Sequence, residues 1–431
     1  MKFTAAGDAI IQRRIPRDFP GYSELTPFIS QGDARFFNLE TTLNREGECF
    51  ASQFSGGTWI RTNPEVLEDL KGFGFNMTSF NNNHALDFSY DGFLKTLEHV
   101  EASGLVNAGC GRNLAAAAAP RYLETSKGRV ALIAVSSSFH PTMMAGHPAQ
   151  RVPGRPGVNG LRIEEKFSVT ADELAQIRSI AARTGVNCSR EITRKEGYNY
   201  PAVPDNEAEF GTTRFVLGDE TKWIRKVNPK DVERVQAAIE EARFQADYVM
   251  VSVHSHQLEG DSKDTPADFL VDFSHACVDA GADAVVGHGP HLLRPIEVYN
   301  GKPIFYSLGD FILQLYSLEF APEDFFNQYG LTSADQVGKL LLKRSKNRTV
   351  GLMEDIRMFE TVIPMWEMEN GRMTSLELLP ACGTKGGHKS EEGLPRRVTD
   401  YGFIERLAKM SEPYGVKMEI GKDGIVRCRW E

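Results

Sequence analysis

Short apolar segments alternate with segments of helical periodicity along most of this 431-residue chain. The strand-like segments include KFTAAGD, ARFFNLE, FNMTSF, RVALIAVSS, ADYVMVSVHSH and ADAVVGHG. Between them, segments such as NPEVLEDLKGFG and YDGFLKTLEHVEASG carry apolar residues at helical spacing and end in glycine. Because strands and helices in succession form parallel sheets covered by helices, this alternation predicts a layered α/β fold.

Two later segments predict antiparallel hairpins instead. LLRPIEVYNGKPIFYSLGDFI places two apolar runs around NGK, and a second hairpin is predicted in ETVIPMWEMENGRMTSLELLPA. Asn-Gly between apolar runs is the strongest short signal for a hairpin turn. We therefore expect antiparallel strands to close the sheet after His291.

The pattern also predicts how the chain divides. We expect residues 1–312 to form the core, interrupted by an insertion at 140–223 that is rich in glycine, proline and charge. A second insertion is predicted at 313–355, and residues 356–431 are expected to complete the fold with a hairpin and a helix. Since long excursions from compact domains are usually lids or binding loops, we expect 140–223 to help form the substrate pocket.

Composition excludes several classes of function. The formal net charge of -9 and the lack of a basic stripe argue against nucleic-acid binding. The most basic stretch, KLLLKRSKNR at 339–348, fits a solvated helix face or a local anion contact. No signal peptide and no run of about 20 apolar residues is recognisable, so we expect a cytoplasmic protein without a membrane span. The six cysteines contain no CxxC pair and are expected to be free thiols.

Polar residues able to bind metal recur where predicted strands end. In an open α/β sheet, the crevice beyond the carboxyl ends of the strands is where ligands bind, so we expect these side chains to converge. Carboxylates, imidazoles and an amide together suit Mn, Fe or Zn better than Ca or Mg. The residues concerned are Asp8, Glu40, Asn82, Asn83, His84, His254, His256, His288 and His291.

Several of these residues also have a structural interpretation. Asp8 is typical of a turn after Gly7, and Glu40 suits an ion pair or a helix cap as well as a metal. Three consecutive asparagines are typical of turns and caps. His254 and His256 share one strand face by the two-residue period, and we favour His254 as the ligand while leaving His256 open as a neighbour.

An ordered set of motifs resembles a known family. GDAIIQR, FFNLE, FNNNHALD, VSVHSHQLEG and GADAVVGHGPHLLRPIEVYNGKPIFYSLGDF resemble the CapA family, named for bacterial poly-gamma-glutamate capsule synthesis, from Lys2 to about Ile312. That family is similar to the calcineurin-like metallophosphoesterases. The resemblance implies a four-layer α/β/β/α metallophosphatase-like sandwich with insertions, holding one or two divalent transition metals, Mn, Fe or Zn.

The resemblance also implies residue roles. Asp8 and His84 would be catalytic, and Arg13 would contact an anion. Asn82 and His256 are further candidate substrate contacts. Independently of the resemblance, Arg151, Arg155 and Arg162 lie on the glycine- and proline-rich part of the insertion and are candidate contacts for an anionic substrate. The chain has no histidine two residues after Asp8, and has Asp310 where asparagine is common, which leaves the number of metals open. The implied metal ligands are Asp8, Glu40, Asn83, His254, His288 and His291.

These features favour a metal-dependent hydrolase. Its expected substrate is a small anionic phosphoester, from the superfamily, or a gamma-glutamyl-like amide or glutamate-containing polymer, from the family's name. The alternative is a non-hydrolytic component of poly-gamma-glutamate capsule synthesis or export.

Overall fold

The computed structural model describes residues 1–198 and 201–430. It divides into two compact units, one formed by Met1–Leu161 with the chain from Lys230 onward, the other by Arg162–Pro229. Residues 140–161 of the predicted insertion therefore lie in the first unit. No helix of the described ranges combines the length and the apolar character that crossing a bilayer requires.

The strands, in chain order, are β1 (Lys2–Ile10), β2 (Ala34–Leu39), β3 (Thr42–Leu43), β4 (Arg61–Thr62), β5 (Met77–Ser79), β6 (Val106–Ala108), β7 (Cys110–Gly111), β8 (Arg121–Thr125), β9 (Gly128–Ser136), β10 (Gly157–Val158), β11 (Ile163–Val169), β12 (Glu207–Phe210), β13 (Thr213–Leu217), β14 (Lys222–Val227), β15 (Tyr248–His254), β16 (Ala284–His288), β17 (Ile296–Tyr299), β18 (Lys302–Phe305), β19 (Asp310–Leu313), β20 (Glu360–Glu369), β21 (Arg372–Gly383), β22 (Pro395–Arg397), β23 (Val416–Ile420) and β24 (Val426–Trp430).

The α-helices are α1 (Pro20–Ile29), α2 (Val66–Gly72), α3 (Ser89–Ala102), α4 (Leu114–Ala118), α5 (Ala171–Thr184), α6 (Cys188–Lys195), α7 (Pro229–Gln245), α8 (Asp268–Asp279), α9 (Glu323–Gln328), α10 (Val337–Arg344) and α11 (Gly402–Ser411).

Two large sheets make up most of the first unit. A ten-stranded sheet runs in the order β23-β24-β21-β20-β1-β2-β5-β6, with β19 also paired to β1 and β22 to β21. Its β1, β2, β5, β6 and β19 are parallel, whereas β20 to β24 add antiparallel strands. A six-stranded sheet has the order β17-β18-β16-β15-β9-β8. Its central strands β9, β15, β16 and β18 are parallel. Most of the polar residues considered below lie near the carboxyl ends of the parallel strands of the two sheets.

The two sheets share one buried apolar cluster. Phe3 and Trp366 of the larger sheet stack with ring centroids 5.2 Å apart, and they belong to the same cluster as Leu132 and Val286 of the smaller sheet. Side chains alternate between the faces of a strand, so Phe36 joins this cluster while its neighbour Phe37 packs with residues of α1, α2 and α3 on the opposite face. Full burial of each such side chain stabilises the fold by about 1.5–3 kcal/mol.

The predicted alternation of strands and helices is confirmed, and so is the α/β class. Both Asn-Gly hairpins form: β17 pairs with β18 and β20 with β21. Their turn residues Asn300 and Asn370, and the glycine after each, adopt positive φ, which asparagine and glycine tolerate. The segments NPEVLEDLKGFG and YDGFLKTLEHVEASG, predicted to be helical, correspond to α2 and α3.

The second unit has a four-stranded sheet of its own, in the order β12-β13-β11-β14. Helix α5 begins at a capping box, in which the Thr170 side chain and Glu173 satisfy each other's backbone N–H groups, and ends at Gly185 with φ of 64°. Val169, Leu174 and Ala208 form its apolar cluster. The sequence predicted an insertion here but no sheet.

Candidate functional site

The register of the strands brings the predicted residues to one edge. Asp8 on β1 pairs with Asn38 on β2 and with Asp310 on β19. On the smaller sheet, His254 pairs with His288. Asp8, Asn38, His254 and His288 lie at or near the carboxyl ends of parallel strands, whereas Asp310 is the first residue of β19. Polar side chains from both sheets therefore meet above the shared apolar cluster.

Asp8 is fully buried and held from two sides. Its Oδ1 accepts a hydrogen bond of 2.7 Å from the Asn38 side-chain amide, and its Oδ2 accepts one of 2.8 Å from the Gly289 backbone N–H. Burial, with the nearby Asp310 carboxylate, raises the pKa of Asp8 to about 7. Asp8 is therefore oriented rather than free, which is typical of a ligand and not of an exposed turn residue.

Glu40 is completely buried, yet neither of its carboxylate oxygens has a hydrogen-bond partner among the described residues. Its Oε1 lies 3.8 Å from His84 Nε2 and 3.9 Å from His254 Nε2. Burial and then the charges of Asp8 and Asp310 raise the pKa of Glu40 well above its usual value. A buried carboxylate without partners is costly, so the surroundings of Glu40 are compatible with a bound cation.

Two histidines face each other across the smaller sheet. His254 Nδ1 and His288 Nδ1 are 2.9 Å apart, and His288 Nε2 lies 2.7 Å from the Ser252 hydroxyl. His288 Nδ1 is also 3.5 Å from Asp8 Oδ1. Burial lowers the pKa of His288 to about 3 and that of His254 well below 6.5, so both rings are neutral, the form that binds metals.

Asn83 contacts two histidines, His254 at the end of β15 and His256 in the loop that follows. Its Oδ1 is 2.7 Å from His254 Nε2 and 3.3 Å from His256 Nε2, and its Nδ2 donates to the Gly56 carbonyl at 2.8 Å. The two histidine Nε2 atoms are 3.1 Å apart. His256, left open by the sequence, is thus beside the candidate ligands.

His291 reaches the site through a backbone conformation that is rare for its residue type, with φ of 65°. Its Nδ1 lies 3.0 Å from Asp310 Oδ1. Burial alone would lower the pKa of His291, but the Asp310 carboxylate outweighs it and the pKa is raised. The other oxygen of Asp310, Oδ2, has no partner among the described residues.

The other two asparagines of the triple run shape the turn. Asn81 Nδ2 donates to the backbone carbonyls of Ala134 and Asn159, and Asn82 Nδ2 donates to the Leu39 carbonyl at 2.9 Å. Asn82 Oδ1 accepts the backbone N–H of His84. Both the nitrogen and the oxygen of the Asn82 side-chain amide thus form hydrogen bonds inside the protein, and they hold the turn that carries His84. Contact of Asn82 with substrate stays a prediction.

His84 is held by Asp87, which the sequence did not single out. His84 Nδ1 lies 2.7 Å from Asp87 Oδ2, and the backbone N–H groups of Gly56 and Ile60 both donate to the Asp87 carboxylate at 2.9 Å. A carboxylate in this position keeps the proton on Nδ1, which leaves Nε2 directed toward Glu40.

Among the described residues, three overlapping groups of side chains could each hold a metal ion, with their ligand atoms within 4.8 Å of one another. These groups include every predicted ligand except the amide Asn83, and they add His256 and Asp310. The donors would therefore suffice for one or two ions. The groups are Asp8, His254 and His288; Glu40, His254 and His256; and Asp8, Glu40, His291 and Asp310.

The predicted arginines have other contacts. Arg13 donates from Nη2 to the Lys389 backbone carbonyl, and Arg155 donates from Nε to the Met144 carbonyl at 2.9 Å. Arg151 and Arg155 are both exposed. Their contacts among the described residues do not include the metal-capable side chains, and their role with substrate stays a prediction.

Asp310, Asn38, Ser252 and Asp87 belong to the site although the sequence did not assign them to it. Asp310 had a signal, because it follows a predicted strand in SLGDF as Asp8 follows KFTAAG. Asn38 and Ser252 lie inside strands, where only the pairing of neighbours reveals their contacts. Asp87 follows His84 by three residues, a spacing that brings the two side chains together in a turn.

Comparison with known proteins identifies the family. Residues 2–315 match the sequence profile of the family described as bacterial capsule synthesis protein PGA_cap. The chain belongs to the PGA_cap family. The match contains every metal-capable residue described above, and it confirms the resemblance to CapA proteins.

Relatives of this PGA_cap protein include the uncharacterized protein y4sH of Sinorhizobium fredii, which is 30% identical over 98% of this chain and 92% of its own. The probable polyglutamine synthesis accessory protein of Mycobacterium tuberculosis is 28% identical over 65% of this chain and 55% of its own. PGA biosynthesis protein CapA of Bacillus subtilis is 48% identical over 20% of this chain and 22% of its own.

Among solved structures, a hypothetical protein from Thermus thermophilus aligns with 88% of this chain and 98% of its own. The sequence identity is 12% and the TM-score is 0.39, so this likeness carries no argument about fold or function.

Proposed function

We propose that this PGA_cap protein is a metal-dependent hydrolase with a metallophosphatase-like four-layer α/β/β/α sandwich. The observation that carries the proposal is a set of buried carboxylate oxygens that have no hydrogen-bond partner among the described residues, both of Glu40 and one of Asp310, beside four histidines. Such groups are stable in a protein interior when a cation neutralises them. The mixed oxygen and nitrogen donors suit one or two Mn, Fe or Zn ions.

When bound, a divalent transition metal supplies Lewis acidity toward the electrophile and lowers the pKa of water toward about 7. The carboxylates of Asp8, Glu40 and Asp310 hold the negative charge that balances it. Asn38 and the Gly289 N–H fix the orientation of Asp8, while Ser252 fixes His288. These contacts preorganise the ligand atoms before substrate arrives.

His84 is the proposed general acid. The Asp87 carboxylate accepts a hydrogen bond from Nδ1–H of His84. Nε2 therefore faces the cluster and can donate a proton to the leaving group. Because Gly56 and Ile60 donate backbone hydrogen bonds to Asp87, the pair is fixed to the backbone rather than to another mobile side chain.

The proposed substrate is a small anionic phosphoester or a gamma-glutamyl-like amide, including a glutamate-containing polymer. Support for the amide comes from the names of relatives in poly-gamma-glutamate and polyglutamine synthesis. Capsule synthesis is accordingly the proposed context.

Elemental analysis followed by a substrate screen tests the proposal. The purified protein should contain about one or two transition-metal ions per chain and should hydrolyse at least one of a phosphomonoester, a phosphodiester and a gamma-glutamyl anilide. Chelation should abolish that turnover, and added Mn²⁺ or Zn²⁺ should restore it.

The second candidate is a non-hydrolytic component of capsule polymer synthesis or export, which the relatives' names favour. Folded protein that binds no metal and turns over none of the three substrate classes would support this second function and reject the first.

A further inference from the structure

A cavity of about 630 Å³ lies beside the segment from Leu315 to Met358, within the first unit. Leu341 and Met353 contribute apolar surface, whereas Lys263 and Arg344 contribute cationic side chains. None of the metal-capable side chains of the candidate site lines it. The cavity is therefore separate from the metal ligands, and it lies largely in the predicted insertion 313–355.

The apolar lining of the cavity is continuous with the surroundings of the metal ligands. Leu315, Met353 and Met358 belong to a buried cluster that also contains Ile10 and Leu292. Ile10 follows the ligand position on β1 by two residues, and Leu292 directly follows the last histidine of the site. Residues next in sequence to the candidate ligands and residues that line the cavity thus belong to one buried cluster.

Lys263 links the cavity to the site on its polar side. Its backbone carbonyl accepts a hydrogen bond of 2.8 Å from Arg294 Nε, and the guanidinium of Arg294 also lies 3.5 Å from the backbone carbonyls of Ser255 and His256. One loop therefore carries both a cavity cation and a site histidine.

Two cations of the cavity have no carboxylate partner among the described residues. Arg344 donates to the Thr58 hydroxyl and lies over the Phe325 ring at 5.4 Å. The Lys263 side chain forms no ion pair within residues 1–198 and 201–430. Next to them, the guanidinium of Arg348 sits 4.7 Å from the ring centroid of Tyr316, which also lines the cavity.

The acids that line the cavity are already neutralised. Glu354 accepts a hydrogen bond of 2.7 Å from the Tyr316 hydroxyl and lies 3.8 Å from Lys385. Asp355 pairs with Arg357 at 2.7 Å. In a chain of net charge -9, unpaired cations grouped around an apolar cavity mark a place suited to an anion with an apolar part.

We propose that this cavity binds the anionic end of the substrate, while the bond to be cleaved lies at the metal ligands. This inference rests on the proposed function and names its substrate class, a molecule that joins a carboxylate or phosphate to the reacting group through an apolar spacer. Arg344 and Lys263 would contact the anion, and the apolar lining would contact the spacer. The basic segment 339–348 would then be an anion contact rather than only a solvated helix face.

Binding of non-hydrolysable probes tests this without any turnover. Glutarate offers carboxylates and phenylphosphonate offers a phosphonate, and isothermal titration calorimetry measures the Kd of each for the metal-loaded protein and after chelation. Lys263→Gln and Arg344→Gln should each weaken at least one probe by about 10-fold, the loss expected for one charge-assisted hydrogen bond. Lys343→Gln removes an exposed cation of α10 outside the cavity and should leave the Kd unchanged.

A variant that fills the cavity provides a second test, which remains available if Arg344→Gln does not fold. Val350 lines the cavity and is 42% exposed, so Val350→Trp should fold and should weaken binding by steric exclusion. The probe that responds identifies the anionic group. Failure of wild-type protein to bind either probe at millimolar concentration, or an equal Kd in wild type and all three cavity variants, overturns the proposal. Variant-sensitive binding that survives chelation supports it even where no hydrolysis is found.

Discussion

His84 and Asp87 form a pair whose geometry separates proton transfer from metal binding. Replacing His84 with alanine removes the Nε2 atom directed at Glu40, but it leaves every candidate ligand in place. We expect His84→Ala to keep the metal content of wild type and to lose roughly 10²-fold or more in turnover, the usual effect of a missing general acid. Elemental analysis and kcat measured on one preparation check this.

His147→Ala is the matched control for that variant. His147 is exposed and lies apart from the metal-capable groups, so its removal should change neither metal content nor kcat. Loss of metal from His84→Ala would instead make His84 a ligand, and unchanged kcat would remove it from the mechanism.

The site residues that could be predicted from the sequence are those that come directly at the end of a strand-like run. Asp8, Glu40, His254 and His288 each end a strand-like run, and the parallel sheets bring such ends together. Asp310 stands where asparagine is common in the family, and the family pattern gives it no ligand role. Its place beside Asp8 depends on the pairing of β1 with β19, about 300 residues later in the chain, which no local pattern reveals.

At the scale of elements, the close approach of β1 and the turn before β19 positions two site carboxylates. The Gly309 carbonyl accepts the Asp8 backbone N–H at 3.1 Å, and a Cβ added at Gly7 would lie 1.8 Å from that oxygen. Gly7→Ala should therefore destabilise the fold by about 1–3 kcal/mol, as overpacking does, and should weaken metal binding by moving Asp8 away from Asp310. Urea unfolding and metal titration measure the two effects.

Gly338→Ala provides the comparison, because nothing lies within 4 Å of a Cβ added there and the residue belongs to helix α10. Alanine is the better helix former, so stability should stay equal or rise by up to about 1 kcal/mol. If Gly7→Ala behaves like Gly338→Ala in both measurements, the tight contact does not position Asp8.

Elements were predictable where one physical signal dominated. Apolar runs gave the buried strands β9, β15 and β16, and Asn-Gly gave both hairpins. The strands of the second unit could not be predicted from an apolar run, because they are short and rich in charge: β11 is IEEKFSV and β14 is KWIRKV. β11 pairs with β14, for example Ile163 opposite Val227. The buried cluster of this unit is small, with Val169, Leu174 and Ala208 as its buried members, so the sequence shows no long apolar run here.

The buried ionisable groups of the site predict how the free energy of unfolding of the whole protein depends on pH and on metal. The pKa of Asp8 rises from 3.8 to about 7 on folding, so its stabilising contribution is full below the unfolded value and is lost as pH rises through 7. The lowered pKa of His288 acts in the opposite sense, but only below its unfolded value of 6.5. Above that pH the carboxylate dominates.

We therefore expect the chelated protein to lose unfolding free energy between pH 6.5 and pH 8, because the buried Asp8 carboxyl, with a pKa of about 7, ionises in this range without a metal to balance its charge. The raised pKa of the buried Glu40 acts in the same direction. Excess Mn²⁺ or Zn²⁺ should abolish this loss, since metal binds the ionised form. Urea unfolding at the two pH values, with chelator and with metal, measures it. Equal or greater stability of the chelated protein at pH 8 would contradict the assignment of these carboxylates as a metal site.

Division into two units predicts that the second can be removed. The apolar clusters around the two large sheets contain none of the described residues of 162–229, and the second unit has its own cluster around Leu174. Its ends are adjacent, because the Asn228 backbone N–H donates to the Arg162 carbonyl at 2.8 Å. A short loop can therefore replace residues 163–227 without stretching the chain, at a small closure cost.

We expect a chain with Gly-Ser-Gly in place of 163–227 to unfold cooperatively and to bind as much metal as wild type, since every candidate ligand lies outside the deleted range. If the predicted insertion 140–223 sets specificity, KM for an anionic substrate should rise while kcat is retained. Circular dichroism melting, elemental analysis and steady-state kinetics measure these outcomes. As control, the same tripeptide inserted between the exposed Asp219 and Glu220 should change none of them. Loss of metal from the shortened chain, when this control keeps it, would mean that the second unit is needed to form the site.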